Sequence, residues 1–150
     1  MGGIVHFEIP ADDQERARGF YQQAFGWNIN PIPEMDYSAV TTTPADEKTG
    51  APLQPGAING GMMARSGELT TPIITVDVED INAALGAIGE LGGSTVQERG
   101  AVPGMGYFAY FKDTEGNILG LWQTDPSAGA ETGASQEATS EGAAANDMGA

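Results

Sequence analysis

The stretch VHFEIPADDQERARGFYQQAFGW, residues 5–27, carries two periodicities in succession. At its start Ile4, His6 and Glu8 alternate with Val5, Phe7 and Ile9, the period-two pattern of a strand with one packed face. The period then changes. Asp12, with Glu15 three residues on, has the form of a capping box, and Ala17, Phe20, Tyr21, Ala24 and Phe25 recur at helical spacing until Gly26 ends the run. Phe20, Tyr21 and Phe25 are expected in the core.

The same design returns downstream. Residues 73–78 form a second β-branched run. Asp80 opens a helix whose Ile81, Ala84, Leu85, Ile88 and Leu91 share one stripe, and Gly92 and Gly93 close it. The two segments register at a spacing of 67 residues, His6 on Ile73, Asp13 on Asp80 and Gly26 on Gly93, which points to an internal duplication. Three strand-like segments follow each helix: residues 27–29, 37–43 and 57–63 after the first, and 94–98, 106–112 and 117–123 after the second. Turn residues separate them, among them Pro31, Pro33, Pro52, Pro55, Pro103 and the Asp113–Gly116 turn. The fold class is therefore α+β, two βαβββ modules over about residues 3–66 and 71–124 of one domain, 1–124. One helix for four strands covers one face of each sheet, and the other face must curl around core or ligand.

Composition narrows the function. The 150 residues carry 21 acids against 6 bases, a net charge of -15, with no cysteine and a single histidine. Disulfides, thiolate catalysis and cysteine-ligated metals are excluded, and a metal site could have one imidazole. The acidic excess repels phosphate backbones and anionic headgroups, so neither nucleic acid nor a membrane is an expected partner. No apolar run approaches the roughly 18 residues of a membrane span, and residues 1–10 lack a signal-peptide pattern; the expected location is cytoplasmic. Residues 125–150 contain no aromatic residue, no Ile, Leu or Val, and no base, and read as an acidic, disordered Ala/Gly/Ser-rich tail. Five acids lie in that tail, leaving the body at net -10.

The opening stretch, together with FKDTEGNILGLWQ at residues 111–123, resembles the vicinal-oxygen-chelate superfamily, which includes glyoxalase I, bleomycin-resistance proteins and extradiol dioxygenases. The resemblance spans Gly3 to Thr124. It implies that the modules pair into a cup-shaped, half-open mixed β-sheet, that Trp27 is structural, and that the protein is a homodimer. In the metalloenzymes of that family one residue from the first and one from the last strand of each module hold a divalent metal, which acts as Lewis acid and template. Carried over, those positions are His6, Ile73, Gly120 and, by mirroring residues 56–62 onto 116–122, Gly60. One donor of four remains, so the resemblance, read at these residues, implies a cup with no metal and no cofactor. Glu8, two residues from His6 on the same face, is the one alternative second ligand, at a spacing outside the family pattern.

By alternation the cup is lined by His6, Glu8, Ile58, Gly60, Met62, Ile73, Thr75, Ile118, Gly120 and Trp122, the glycines leaving open volume. Tyr107 and Tyr110 point to opposite faces of their strand, and the sequence does not choose which enters. Residues 100–106 read either as a mobile rim or as an ordinary glycine-rich hairpin connection. The leading expectation is a binding module for a small, neutral or cationic organic ligand. The alternative is a metal-free lyase, isomerase or epimerase in which His6 and Glu8 move protons; a metal-dependent glyoxalase or dioxygenase contradicts the missing ligands. An inert histidine left from a lost metal site is the remaining reading of His6.

Overall fold

Asp13 and Asp80 open the two helices of a computed structural model that describes residues 1–130. The Asp13 carboxylate accepts from the Arg16 N–H at 3.0 Å, and that of Asp80 from the Ala83 N–H at 3.0 Å. Each satisfies a donor that the first helical turn leaves unpaired. The cap of the first helix is thus one residue later than the capping-box reading. Asp12 instead pairs with Arg65 at 2.7 Å. Helix α1 (Gln14–Phe25) stops at Gly26, whose left-handed φ of 73° lets its N–H return to the Gln22 carbonyl. Helix α2 (Ile81–Glu90) is followed by Gly92 at φ 102°.

The described residues divide into two units, one of residues 5–74 and one of residues 1–4 with residues 75–130. In the first, β1 (Ile4–Ala11), β2 (Asn28–Ile32), β3 (Tyr37–Thr41) and β4 (Gly60–Ala64) lie in the order β2-β3-β4-β1. The chain returns through β4 parallel to β1, with Phe7 beside Gly60, Glu8 beside Gly61 and Ile9 beside Met62; the other pairings are antiparallel. Strand β2 runs through Pro31, read from sequence as a turn residue, because an outer strand tolerates a missing donor. Ala11, Ile29, Val40 and Met62 are buried, with Phe7, Ala17, Tyr21 and Trp27 packed against them. Tyr21 stacks on Trp27, centroids 5.1 Å apart and planes within 8°. Phe20 and Phe25, expected in the core, are 62% and 63% exposed. Their stripe is wider than the contact α1 makes, and no residue of α1 is fully buried.

The second unit repeats the plan with β5 (Ile73–Asp77), β6 (Ser94–Val102), β7 (Gly106–Lys112) and β8 (Ile118–Thr124), in the order β5-β8-β7-β6. Its core is Ile81, Ala101, Tyr107, Ala109, Leu121 and Ala128, with Val76, Val78, Ala84, Leu85, Ile88 and Phe111 around it. Strand β6 continues to Val102, past its expected end at Glu98, by absorbing register breaks between Thr95 and Gln97 and between Gln97 and Gly100. Residues 103–105 then make the turn to β7, so the segment 100–106 is a hairpin connection. The first residues of the expected tail are folded: Ala128 is 3% exposed and its carbonyl accepts from the Gly104 N–H at 2.8 Å. A single alanine side chain that fits the core escapes a compositional reading. The rest of that tail, residues 131–150, lies outside the described residues. No helix among the described residues is long and apolar enough to cross a membrane.

Candidate functional site

Alternation along β1 sends Phe7 and Ile9 toward α1 and His6 and Glu8 to the opposite face. Parallel pairing puts Gly61 on that opposite face beside Glu8. On β3, Ala39 pairs with Gly61 and Tyr37 with Met63, so Tyr37 shares the face. Its side chain crosses Gly61 to reach β1. There the Tyr37 hydroxyl donates to Glu8 Oε2 at 2.8 Å and lies 2.9 Å from His6 Nε2. Glu8 is 8% exposed, so its carboxylate depends on partners of this kind. Position 61 has no room for a side chain, because a Cβ there would fall on the Tyr37 hydroxyl and ring.

Burial lowers the His6 pKa, and the negative charge of Glu8 opposes that shift without cancelling it. The imidazole is therefore neutral at neutral pH. A neutral histidine tied to a tyrosine and a carboxylate can orient a polar ligand group or accept a proton from it.

Several expected lining residues stand elsewhere. Gly60 and Met62 lie on the α1 side, Gly60 against Phe7 and Met62 fully buried in the core. The mirror spacing of 60 residues was one too long: Glu8 faces Gly61 as Thr75 faces Gly120, a spacing of 59. Tyr107 is buried in the core with the Arg99 guanidinium 4.1 Å from its ring centroid, so it does not line the open face. Tyr110 pairs with Gly120 and belongs to the face away from α2, together with Thr75, Ile118, Phe108 and Trp122. Ile73 shares the face of Thr75 but is buried at the start of β5, whereas Ile58 lies before β4, its carbonyl accepting from the Thr42 hydroxyl. The glycines do not leave the expected open volume. Tyr37 fills the space above Gly61, and a Cβ on Gly120 would come within 2.8 Å of Thr75 Oγ1. A shallow groove of about 250 Å³ beside the first turn of α1, between Gln14, Arg18, Pro31 and Pro33, shares only Tyr37 with the cluster.

The sequence reading missed Tyr37. Its own strand pattern shows which face it takes, but not that a glycine on the next strand lets it reach His6.

With the register corrected, the four positions at which the family's enzymes bind metal are His6, Gly61, Ile73 and Gly120. Three have no donor, and the Nε2 of the fourth is engaged by Tyr37. Among the described residues no three of His, Cys, Asp or Glu gather closely enough to hold an ion. The donor set does not fit a divalent metal, which needs about three protein ligands.

Comparison with known proteins agrees with this architecture. Residues 4–43, covering β1 to β3, match the family model described as bleomycin resistance protein-like N-terminal. The chain is 29% identical over 129 residues to "Putative glyoxylase CFP32" of Mycobacterium bovis, covering 82% of this chain and 46% of that protein. It thus spans about half the length of that relative. A glyoxylase-like domain-containing protein of Didymella fabae is 32% identical over 121 residues, covering 77% of this chain and 89% of that one. Among solved structures, methylmalonyl-CoA epimerase of Mycobacterium tuberculosis shares the fold at a TM-score of 0.54 and 17% identity, over 83% of this chain and 89% of that one. Two βαβββ units, a histidine on the first strand and 32% identity to a glyoxylase-like domain over 77% of the chain lead to one assignment: the chain belongs to the glyoxalase/bleomycin-resistance/dioxygenase, or vicinal-oxygen-chelate, superfamily.

Proposed function

We propose that the chain binds a small organic ligand without the family's metal, on the sheet face that carries His6, Tyr37 and Glu8. The observation that carries this reading is the Tyr37 hydroxyl over Gly61. Where a metal-binding side chain would begin, this chain has a tyrosine that hydrogen-bonds the one remaining family donor. A neutral or cationic ligand suits an acidic chain. The other unit carries Thr75, Tyr110 and Trp122 on its own corresponding face, a separate candidate surface. Incubation with zinc or manganese followed by desalting tests the reading: it expects metal far below one per chain, and stoichiometric retention overturns it.

A second reading makes the cluster catalytic, as a metal-free lyase, isomerase or epimerase. The neutral, half-buried His6 favours it, since such a ring can take a proton. His6→Gln separates the two. Lost turnover with ligand binding kept supports the enzyme, and lost affinity alone supports the binder. The proposal also takes the chain as cytoplasmic and as a homodimer, the dimer supported by the exposed Phe20 and Phe25 on α1. Sedimentation over a range of concentrations tests the dimer.

A further inference from the structure

We infer that Tyr37 and Glu8 lock His6 as its Nε2–H tautomer and so present Nδ1 as a bare acceptor, which selects ligands carrying an O–H or N–H donor. The inference rests on the binding reading above and adds the chemical class of the ligand.

A carboxylate accepts and cannot donate. Glu8 Oε2 stands 2.8 Å from the Tyr37 oxygen, so the phenolic proton lies between them; otherwise two oxygen lone pairs would face each other at hydrogen-bond distance. Tyr37 has only that proton. Toward His6 its oxygen can only accept, and at 2.9 Å the hydrogen must come from Nε2. In the neutral ring a hydrogen on Nε2 leaves the lone pair on Nδ1.

Nδ1 itself is not consumed by the protein. Among the described residues the only hydrogen bond of the His6 ring is at Nε2, and Nδ1 is not among the polar atoms sealed from solvent without a partner. A ligand hydroxyl or N–H can therefore pair with it. A ligand with only acceptors would set lone pair against lone pair and strip Nδ1 of water without replacement.

The single histidine makes the test direct. Nitrogen-15 NMR of the labelled protein, above the ordinary histidine pKa, reads this ring alone. The expected spectrum has a protonated Nε2 and an unprotonated Nδ1, and Tyr37→Phe shifts both signals toward a mixture of tautomers. Phenol and its methyl ether, anisole, are then titrated as probes. Phenol should move the Nδ1 signal and bind about fivefold more tightly than anisole, the worth of one net hydrogen bond. An Nδ1–H tautomer in the unmodified protein overturns the inference whatever binds. Equal affinity for the two probes overturns the donor preference and leaves ligand binding standing. The Nε2–H tautomer with neither probe perturbing His6 sinks the binding reading while upholding the lock.

Discussion

The Tyr37 hydroxyl occupies the position from which any side chain at Gly61 would begin. Gly61→Ala must therefore push the phenol away and open the His6–Tyr37–Glu8 cluster. The expected cost is about 1–3 kcal/mol by chemical denaturation, typical of overpacking. In a Tyr37→Ala background the same change should cost less than about 0.5 kcal/mol, because the obstacle has gone. An undiminished cost would show that the ring lies elsewhere.

Tyr37→Phe keeps the ring over Gly61 and removes only the hydroxyl. Glu8 loses a donor while remaining buried, and His6 loses its Nε2 partner. A destabilisation of about 1–3 kcal/mol follows from leaving buried polar groups short of partners. A neutral result in denaturant would mean that water replaces the hydroxyl without penalty.

Burial holds the His6 pKa below its ordinary value of 6.5, so the unfolded chain binds the proton more readily than the folded one. As pH falls from the unfolded value through the lowered folded value, the unfolded state gains a proton first and stability drops; below both values the contribution is flat. His6→Gln should remove this component of the slope between its two pKa values. Denaturation midpoints measured across that range in both proteins check it, and identical slopes would contradict the shift.

Asp12 and Asp13 are adjacent but do different work. Asp13→Ala removes the helix cap and should cost about 1 kcal/mol, as should Asp80→Ala. Asp12→Ala breaks an exposed pair with Arg65 and should cost no more than about 0.5 kcal/mol. The reverse ranking in thermal or chemical unfolding would restore the cap to Asp12.

The presence of every strand and both α-helices was legible in the sequence, because each carries its own period, and β7 was placed to the residue at 106–112; the ends of β2 and β6 were not, since β2 runs through Pro31 and β6 past Glu98. Faces in the second unit were legible for the same reason, and Thr75, Gly120 and Trp122 fall together as expected. The failure in the first unit has a geometric cause. The last strand was counted from Gly56 as its twin was counted from Gly116, but β4 is fixed by its parallel pairing with β1 rather than by the turn before it. An error of one residue turns every side chain to the other face, which is how Met62 came to be assigned to the wrong side. Tyr37 was hidden for a different reason, since a reach across a glycine on a neighbouring strand leaves no local pattern. The choice between Tyr107 and Tyr110 needed the β7–β8 register, which pairs Tyr110 with Gly120.

Pro31 lies in β2, an outer strand of the first unit, and the broken register lies in β6, an outer strand of the second. Such margins are where foreign strands add on and seed aggregates. A strand approaching β2 meets a residue with no N–H to offer, and one approaching β6 meets a twisted, interrupted ladder. Extension by backbone pairing is thereby discouraged at each of these two edges, one in either unit.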